Sequence, residues 1–178
     1  MKIYRKRDKF KKREVFMYIF DGNLLKLKVE EGYELVEHPG ASACIIYFDN
    51  KILLVRQYRK ALKEYTWEIP AGKIDKSDEN PKSTVLREVF EETGINLNES
   101  KLIYLGKIYT TPGFSNEIIH IFFYKLEENQ DLKPQQLDEI SEVKFFSKSE
   151  FFDLVRNNEI KDAKTLSSIS MAIAHNLI

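Results

Sequence analysis

Short apolar runs separated by turn residues fill the first third of the chain. Asp21-Gly22-Asn23 lies between two runs of β-branched and aromatic residues, which predicts a β-hairpin whose glycine supplies a positive φ. Asp49-Asn50 lies between two further apolar runs and predicts a second hairpin. The paired strands are expected at residues 14–20 with 24–29 and at residues 43–48 with 52–56.

A helical period replaces the strand pattern after residue 80. Apolar residues recur at helical spacing, Pro81 suits a first helical turn, and Gly94 suits the position just after a helix. The spacing therefore predicts a helix over residues 81–93. Its apolar positions are Val85, Leu86, Val89 and Phe90.

The second half of the chain returns to strands and ends in helices. Ser147 and Glu150 have the spacing of a capping box, and an apolar stripe from Leu166 to Leu177 predicts a last helix. The fold class is therefore α+β, an α/β/α sandwich with a mixed β-sheet, in which residues 1–38 form an amino-terminal β arm and residues 39–178 the main domain. The remaining strands are expected at residues 67–69, 102–109, 117–125 and 142–146.

The composition excludes several classes of protein. The 178 residues are 43% hydrophobic and 31% charged, which is typical of a globular domain and unlike disordered or collagen-like chains. No apolar run reaches the roughly 18–20 residues of a membrane-spanning helix. The single Cys44 cannot form an internal disulfide. We expect a cytoplasmic protein with no membrane partner.

The neutral chain begins with a basic segment. Residues 1–14 carry eight Lys or Arg against Asp8 and Glu14, which gives this segment a charge of +6. Such an arm can touch nucleic acid, but it lacks interleaved glycine and aromatic residues. A solvated tail or a subunit-packing segment is the favoured interpretation, and no nucleic-acid partner is expected.

Three carboxylates share one face of the predicted helix over residues 81–93. Glu88, Glu91 and Glu92 stand at i, i+3 and i+4, and Arg87 is placed to reach Glu91 at i+4. Unpaired carboxylates at this spacing repel one another, whereas a cation among them is stabilised, and hard oxygen ligands select Mg²⁺ or Mn²⁺. A solvated acidic face is the alternative, and the apolar Val89 between the acids argues against it.

This segment resembles the Nudix box. That pattern is Gly, five residues, Glu, seven residues, Arg-Glu, an aliphatic, any residue, Glu-Glu, any residue, Gly and an aliphatic. Six residues separate Gly72 from Glu79 where the pattern has five, so the loop around residues 76–78 is expected to be one residue longer. The matching positions are Gly72, Glu79, Arg87, Glu88, Val89, Glu91, Glu92, Gly94 and Ile95.

Further segments are similar to the ADP-ribose pyrophosphatase branch of the Nudix hydrolases. The resemblance implies Mg²⁺-dependent hydrolysis of ADP-ribose to AMP and ribose 5-phosphate, and a homodimer formed through the amino-terminal strands. The segments that carry it are residues 38–41, 54–61, 67–72, 111–117 and 162–165.

The resemblance also implies roles for individual residues near the box. Glu88, Glu92 and the backbone carbonyl of Ala71 would bind metal, Glu91 would bridge or support a second ion, and Arg87 would hold Glu91 for catalysis. Two or three Mg²⁺ ions would polarise the phosphoryl oxygens and acidify water.

Substrate contacts are implied for residues outside the box. Arg59 would contact the phosphates, with Arg56 the less favoured choice, because planar guanidinium donors match phosphate oxygens. Glu68 and Glu117 would hydrogen-bond sugar or adenine. Gly113 and Phe114 belong to a turn that would wall the ribose pocket.

The family takes its general base from an acidic loop, which here spans residues 137–143. The resemblance implies Glu139 as the base, since it lies four residues before Val143, where the family's glutamate would fall. The alternative interpretation of this loop is structural: Asp138 would cap a turn, and Glu142 would be an outward-facing strand residue.

Other functions remain open at this point. A Nudix enzyme for another nucleoside diphosphate derivative, such as a sugar nucleotide, is the nearest rival. A non-catalytic ADP-ribose sensor and an RNA pyrophosphohydrolase that uses the basic arm are the others.

Overall fold

We describe the chain from a computed structural model that covers residues 17–74, 80–135 and 139–178. Within these ranges a seven-stranded mixed sheet lies between helix α1 on one face and helices α2 and α3 on the other. A separate three-stranded sheet precedes it. This is the α/β/α sandwich that the sequence predicts.

The elements have the following bounds. The three-stranded sheet contains β1 (Met17–Asp21), β2 (Lys26–Glu30) and β3 (Tyr33–Glu37). The larger sheet contains β4 (Ala41–Phe48), β5 (Lys51–Arg59), β6 (Glu64–Glu68), β7 (Ala71–Lys73), β8 (Ile103–Tyr109), β9 (Ile118–Lys125) and β10 (Ile140–Ser147). The helices are α1 (Pro81–Thr93), α2 (Lys148–Arg156) and α3 (Ala163–Ala174).

The central strands are buried on both faces. The order is β10-β5-β4-β9-β8, with β6 paired to β5 and β7 paired to β4, and β4 runs parallel to β9. Alternate residues of β4 divide between two cores, so Ile45 faces α2 and α3 whereas Cys44 and Ile46 face α1. An apolar run without polar alternation is what a strand covered on both sides requires.

Helix α1 begins and ends where the sequence predicts. The Asn80 side chain accepts hydrogen bonds from the backbone N–H groups of Lys82 and Ser83, both at 2.9 Å. Gly94 ends the helix at φ +80°, and a Cβ there would lie 2.6–2.9 Å from the Lys133 backbone. Glycine is therefore required both for its conformation and for the close approach of the chain after residue 132.

The three-stranded sheet is attached to the loop before β9. The Val36 N–H donates to the Phe114 carbonyl at 2.7 Å, and the Asn116 N–H donates to the Val36 carbonyl at 3.3 Å. Strands β1 and β2 were predicted from the sequence, but β3 was missed, although it pairs with β2 across the turn at Glu31 and Gly32. The basic segment and residues 14–16 lie outside the described residues, and the domain boundary at residue 38 stays a prediction.

Two predicted bounds differ in the carboxyl-terminal part. Helix α3 ends at Ala174, before Leu177, and Asn176 beyond it adopts φ +55°. Strand β10 begins at Ile140, two residues before the predicted start, with a register irregularity before Glu142. The predicted capping box of α2 is confirmed at Ser147 and Glu150. No helix in the described ranges is long and apolar enough to cross a membrane.

Candidate active site

Two glutamates of α1 lie directly against strand β7. Glu92 Oε2 accepts the backbone N–H of Ala71 at 3.0 Å. The Glu88 carboxyl group packs on Gly72, where a Cβ atom would come within 1.9–2.3 Å of the three carboxyl atoms. Glycine at position 72 therefore lets the helix bring its carboxylates onto the strand backbone.

Both carboxyl groups are buried, with Glu92 only 3% exposed. Burial, with a smaller contribution from the neighbouring charge of Glu88, raises the pKa of Glu92 to about 8. The Ala71 N–H, Lys164 and Arg59 act in the opposite direction but do not outweigh burial. Ionising Glu92 is therefore costly without a further cation.

Arg87 holds the outer side of this group. Its Nη1 lies 2.8 Å from Glu88 Oε1 and 3.0 Å from Glu91 Oε2. The second contact is the i,i+4 pair that the spacing predicts. One guanidinium thus orients two of the three carboxylates of the predicted cluster.

The donor set fits a hard divalent cation. Glu88 and Glu92 supply buried carboxylate oxygens beside the backbone of Ala71, and oxygen ligands of this kind select Mg²⁺ or Mn²⁺. Within residues 17–74, 80–135 and 139–178, no three acidic, histidine or cysteine side chains converge on one point. Glu79 and the loop at residues 76–78 lie outside the described residues.

A third buried glutamate has a different environment. Glu68 is 3% exposed, and it accepts hydrogen bonds from Arg59, Lys164 and Thr66. Burial alone would raise its pKa, but the hydrogen bond and charge of Arg59 together with Lys164 lower it to about 2. Glu68 is thus ionised and internally paired, and its geometry favours holding Arg59. A direct contact to sugar or adenine stays a prediction.

The Glu68 cluster is tied to the start of α3. Lys164 Nζ lies 2.8 Å from Asp162, and Asp162 caps α3 by accepting the Thr165 N–H at 2.9 Å. Thr165 Oγ1 in turn accepts the Ile69 N–H at 2.9 Å. Residues 162–165 carry part of the family resemblance, but no role for Lys164 was predicted from the sequence.

A cleft of about 400 Å³ opens on this network. It brings together three of the predicted substrate residues, Arg59, Glu68 and Glu117. Arg59 and Lys164 also act on the pKa of Glu92, which places the cleft beside the acids of α1. The cleft residues with charged side chains are Arg59, Glu64, Glu68, Glu117, Lys161, Asp162 and Lys164.

Arg56 lies on the opposite face of β5. Its guanidinium is 4.9 Å from the Tyr65 ring and 6.0 Å from the Trp67 ring, and Trp67 packs against the core beneath α2 and α3. Glu142 lies 4.0 Å away. The structure therefore does not bring Arg56 together with Arg59.

The turn that contains Gly113 and Phe114 faces the three-stranded sheet. Phe114 is half-exposed and lines an apolar cavity of about 410 Å³ with Val36 and Tyr109. Glu117, at the end of this turn, accepts the Thr110 hydroxyl at 2.6 Å and lies 3.4 Å from His38 Nδ1. The turn therefore connects the cavity under the arm with the cleft.

Glu139 lies at the start of β10 with a buried partner. Gln57 Nε2 donates to Glu139 Oε2 at 3.1 Å. Gln57 was missed by the sequence analysis, although a glutamine within the apolar strand β5 signals a partnered polar group. Residues 137 and 138 lie outside the described residues, so the alternative Asp138 is not placed.

Comparison with known proteins identifies the family. The NUDIX domain model matches residues 36–168, and the chain therefore belongs to the NUDIX family. One similar relative is an ADP-ribose pyrophosphatase of Bacillus subtilis, 39% identical over 165 residues, with 85% of this chain and 86% of the relative covered. Another is a methanol dehydrogenase activator of Bacillus methanolicus, 36% identical, with 85% and 86% covered.

A solved structure supports the fold. A protein titled as an ADP compounds hydrolase superposes with a TM-score of 0.72 over 96% of this chain and 100% of that chain. Its sequence is 17% identical, so the likeness concerns the fold alone.

Proposed function

We propose that the protein hydrolyses the diphosphate of ADP-ribose. Water adds to one phosphorus, the bridging P–O bond breaks, and AMP and ribose 5-phosphate leave. The observation that carries the proposal is the buried pair Glu88 and Glu92 beside a cleft that presents Arg59 and Lys164. The similarity to a relative named ADP-ribose pyrophosphatase supports the choice of substrate.

Mg²⁺ is the proposed cofactor, with Mn²⁺ as a substitute. Glu88, Glu92 and the carbonyl of Ala71 would hold it, and Glu91 would support a second ion. When bound, the cations neutralise charge on the diphosphate and lower the pKa of water. A diphosphate repels nucleophiles through its own negative charge, so this neutralisation is the main requirement of the reaction.

Arg59 is the proposed phosphate contact. Its Nε and Nη2 bond to Glu68, which fixes the plane of the guanidinium before substrate arrives. Its side chain is 38% exposed and lines the cleft. Glu68 thus acts as the support of Arg59, and Lys164 adds a second positive charge to the same wall.

The ribose and base are proposed to lie toward the turn before β9. Glu117 carries an exposed fraction of 27% and faces the cleft, so its carboxylate is placed to accept sugar hydroxyl groups. Gly113 and Phe114 would form the adjoining wall. A half-exposed aromatic ring in this position suits stacking or packing on a sugar or a base.

Glu139 is the proposed general base. It is exposed, so water reaches it, and it sits beyond β5 on the side of the sheet that faces α1. We expect Glu139→Gln to lower kcat by about 10²-fold with metal binding retained, because general-base catalysis contributes on that order. Fixed-time activity assays and metal titration of the same preparation check this prediction. Full activity of the variant would move the general-base role to another acid.

The assembly is proposed to be a homodimer through the arm. Met17, Ile19 and Phe20 of β1 are exposed apolar residues that a second copy would cover. The free, buried Cys44 suits a reducing cytoplasm. Light scattering of the full chain, compared with a chain lacking residues 1–21, tests the dimer.

A substrate panel tests the proposal. Purified protein with Mg²⁺ is incubated with ADP-ribose, GDP-mannose and a nucleoside triphosphate, and products are separated by chromatography. We expect the highest kcat/KM for ADP-ribose. Preference for the triphosphate would contradict the proposal, and tight ADP-ribose binding without turnover would favour a sensor.

The same panel addresses the nearest rival substrate. Relatives named GDP-mannose pyrophosphatase are 29–31% identical to this chain, for example in Cronobacter sakazakii over 164 residues. Preference for GDP-mannose would move the assignment to sugar nucleotides while leaving the hydrolytic chemistry unchanged.

A further inference from the structure

We infer that Gln57 is the positioning residue for Glu139. The inference rests on the proposed function, because it concerns the general base assigned there. It adds a residue that takes no part in the metal site and contacts no predicted substrate group.

Gln57 is a buried polar residue in an apolar strand. It follows Ile52, Leu53, Leu54 and Val55 of β5, which are fully buried, and it is itself 8% exposed. A primary amide in such a place is costly unless it is hydrogen-bonded. Among the described residues, the partner of the Gln57 side chain is Glu139, at 3.1 Å between Nε2 and Oε2.

The contact joins distant parts of the chain at one end of the sheet. Gln57 pairs with Ile140 in the β5–β10 ladder, directly after Glu139. The register shifts between Ile140 and Glu142, so Ser141 is an extra residue of a bulge, and bulges commonly redirect side chains beside active sites. Glu139 therefore lies just before the irregular start of the ladder. Backbone pairing alone does not fix the position of its carboxylate there.

The contact between Gln57 and Glu139 lies on the same side of the sheet as the proposed site. Along β5, Leu53, Gln57 and Arg59 share one face, and Leu53 packs in the core beneath α1. The Gln135 N–H donates to the Glu91 carbonyl at 2.7 Å, and four residues span at most about 14 Å. This short connection limits how far Glu139 can lie from the end of α1 that carries the carboxylates.

An amide is suited to this role chemically. The Gln57 donor bonds to one oxygen of the Glu139 carboxylate and fixes its position without carrying a neutralising charge. A lysine or arginine there would form an ion pair and weaken the carboxylate as a base. Gln57 neither ionises nor accepts the proton of water, so it acts through Glu139.

Gln57→Met removes the donor and keeps a side chain of similar length. With ADP-ribose and Mg²⁺, we expect kcat to fall about 10- to 100-fold, the usual cost of losing a supporting hydrogen bond, with KM changed by less than about twofold. Gln57→Asn keeps the amide but withdraws it by one methylene, and we expect a similar loss. The asparagine variant serves if the methionine variant does not fold, as judged by its thermal midpoint.

Ser141→Ala is the matched control. It removes a hydrogen bond of 2.9 Å from the Ser141 hydroxyl to the Arg56 carbonyl at the same strand junction. We expect kcat to stay within about twofold of the parent, as for most surface substitutions. An equal loss in the control would mean that the junction as a whole matters, and the role of Gln57 would be overturned.

The decisive measurement repeats the change in a chain that already carries Glu139→Gln. If Gln57 acts through Glu139, the second substitution has no further effect on kcat. An undiminished loss in that background overturns the inference. Failure of the proposed function gives a different result, because the parent chain then shows no ADP-ribose turnover. The same double-mutant cycle is then run on the diphosphate substrate that the panel identifies.

Discussion

Glu68 and Glu92 are equally buried but have opposite electrostatic environments. Each is 3% exposed, yet the pKa of Glu68 is lowered to about 2 and that of Glu92 is raised to about 8. Glu68 contacts Arg59 and Lys164 directly. Glu92 accepts one backbone N–H, and its neighbour along the helix face is another carboxylate.

The difference separates a structural carboxylate from one suited to an external cation. Burial penalises both charges, but at Glu68 the protein itself supplies the compensating cations. At Glu92 the protein places a second acid and a strand backbone instead. The first arrangement favours stability, and the second favours binding of a metal ion.

The largest expected effect is on the Glu92 side of this comparison. Glu92→Gln should lower kcat by about 10³-fold, because it removes the charge of a proposed metal ligand, which is worth several kcal/mol in the transition state. It should not lower the thermal midpoint, since a neutral amide avoids the cost of burying charge. Steady-state kinetics and thermal melts of the metal-free protein check both. Unchanged turnover would remove Glu92 from the metal site.

The opposite result is expected for Glu68. Glu68→Gln leaves the buried part of Arg59 without its carboxylate and leaves Lys164 with Asp162 alone, so it should reduce the free energy of unfolding by about 3 kcal/mol. Urea denaturation measures it. The control is Glu64→Gln, which breaks an exposed pair with Lys161 and should cost less than about 1 kcal/mol. Equal costs would show that the buried contacts of Glu68 contribute no more to stability than the exposed pair of Glu64 and Lys161.

The acid dependence of stability should depend on Glu68. Its folded pKa of about 2 lies below the ordinary 4.5, so its contribution is fully present above pH 4.5 and is lost as pH falls through 2. The loss across that window is about 3 kcal/mol. Chemical denaturation from pH 5 downward should show a steeper decline for the parent than for Glu68→Gln. Parallel curves would contradict the assigned pKa direction.

Gly72→Ala tests how closely helix and strand must approach. The new Cβ would overlap the Glu88 carboxyl group, so that group must turn away from the strand. We expect kcat to fall about 10²-fold, as displacements near 1 Å commonly cause, and metal affinity to weaken. Kinetics over a range of Mg²⁺ concentrations separate the two effects. Parent-like values would mean that Glu88 needs no contact with β7.

The smallest effect is expected for Arg56. Arg56→Ala should change kcat/KM by less than about threefold, because its guanidinium stacks on Tyr65 on the face away from Arg59. Arg59→Ala in parallel should raise KM for ADP-ribose by at least about tenfold, as expected for a lost charged contact. A large effect of Arg56→Ala would reverse the preference between the two arginines.

Local sequence signals were sufficient for α1 and for the positions of the two predicted hairpins, but the prediction that Gly22 supplies a positive φ was wrong. Pro81 and Gly94 bound the helix because their backbone preferences act within one turn, and Asp49 and Asn50 adopt the positive φ values of a tight two-residue turn. Strand β3 pairs with β2 across the tight turn at Glu31 and Gly32, a local signal that the sequence analysis did not apply. Its burial is partial, so the period of two is weak.

The candidate site was partly accessible to sequence reasoning. The i,i+3,i+4 spacing placed Glu88, Glu91 and Glu92 on one face, and the contact of Arg87 with Glu91 is confirmed. The opposite faces of Arg56 and Arg59 follow from an odd spacing on one strand, which the sequence analysis did not apply. The contact of Gln57 with Glu139 joins residues 82 apart, and no local pattern reports it.

The backbone link between Val36 and the turn at Phe114 has a practical consequence for engineering. A trimmed version of the protein beginning near residue 39 would keep every acidic side chain of the box and still lose the support of the turn that carries Phe114 and Glu117. Because this turn is the proposed wall of the sugar site, we expect such a minimal chain to show altered selectivity for the sugar. Screens that aim to retune specificity should therefore mutate the amino-terminal strands together with this turn.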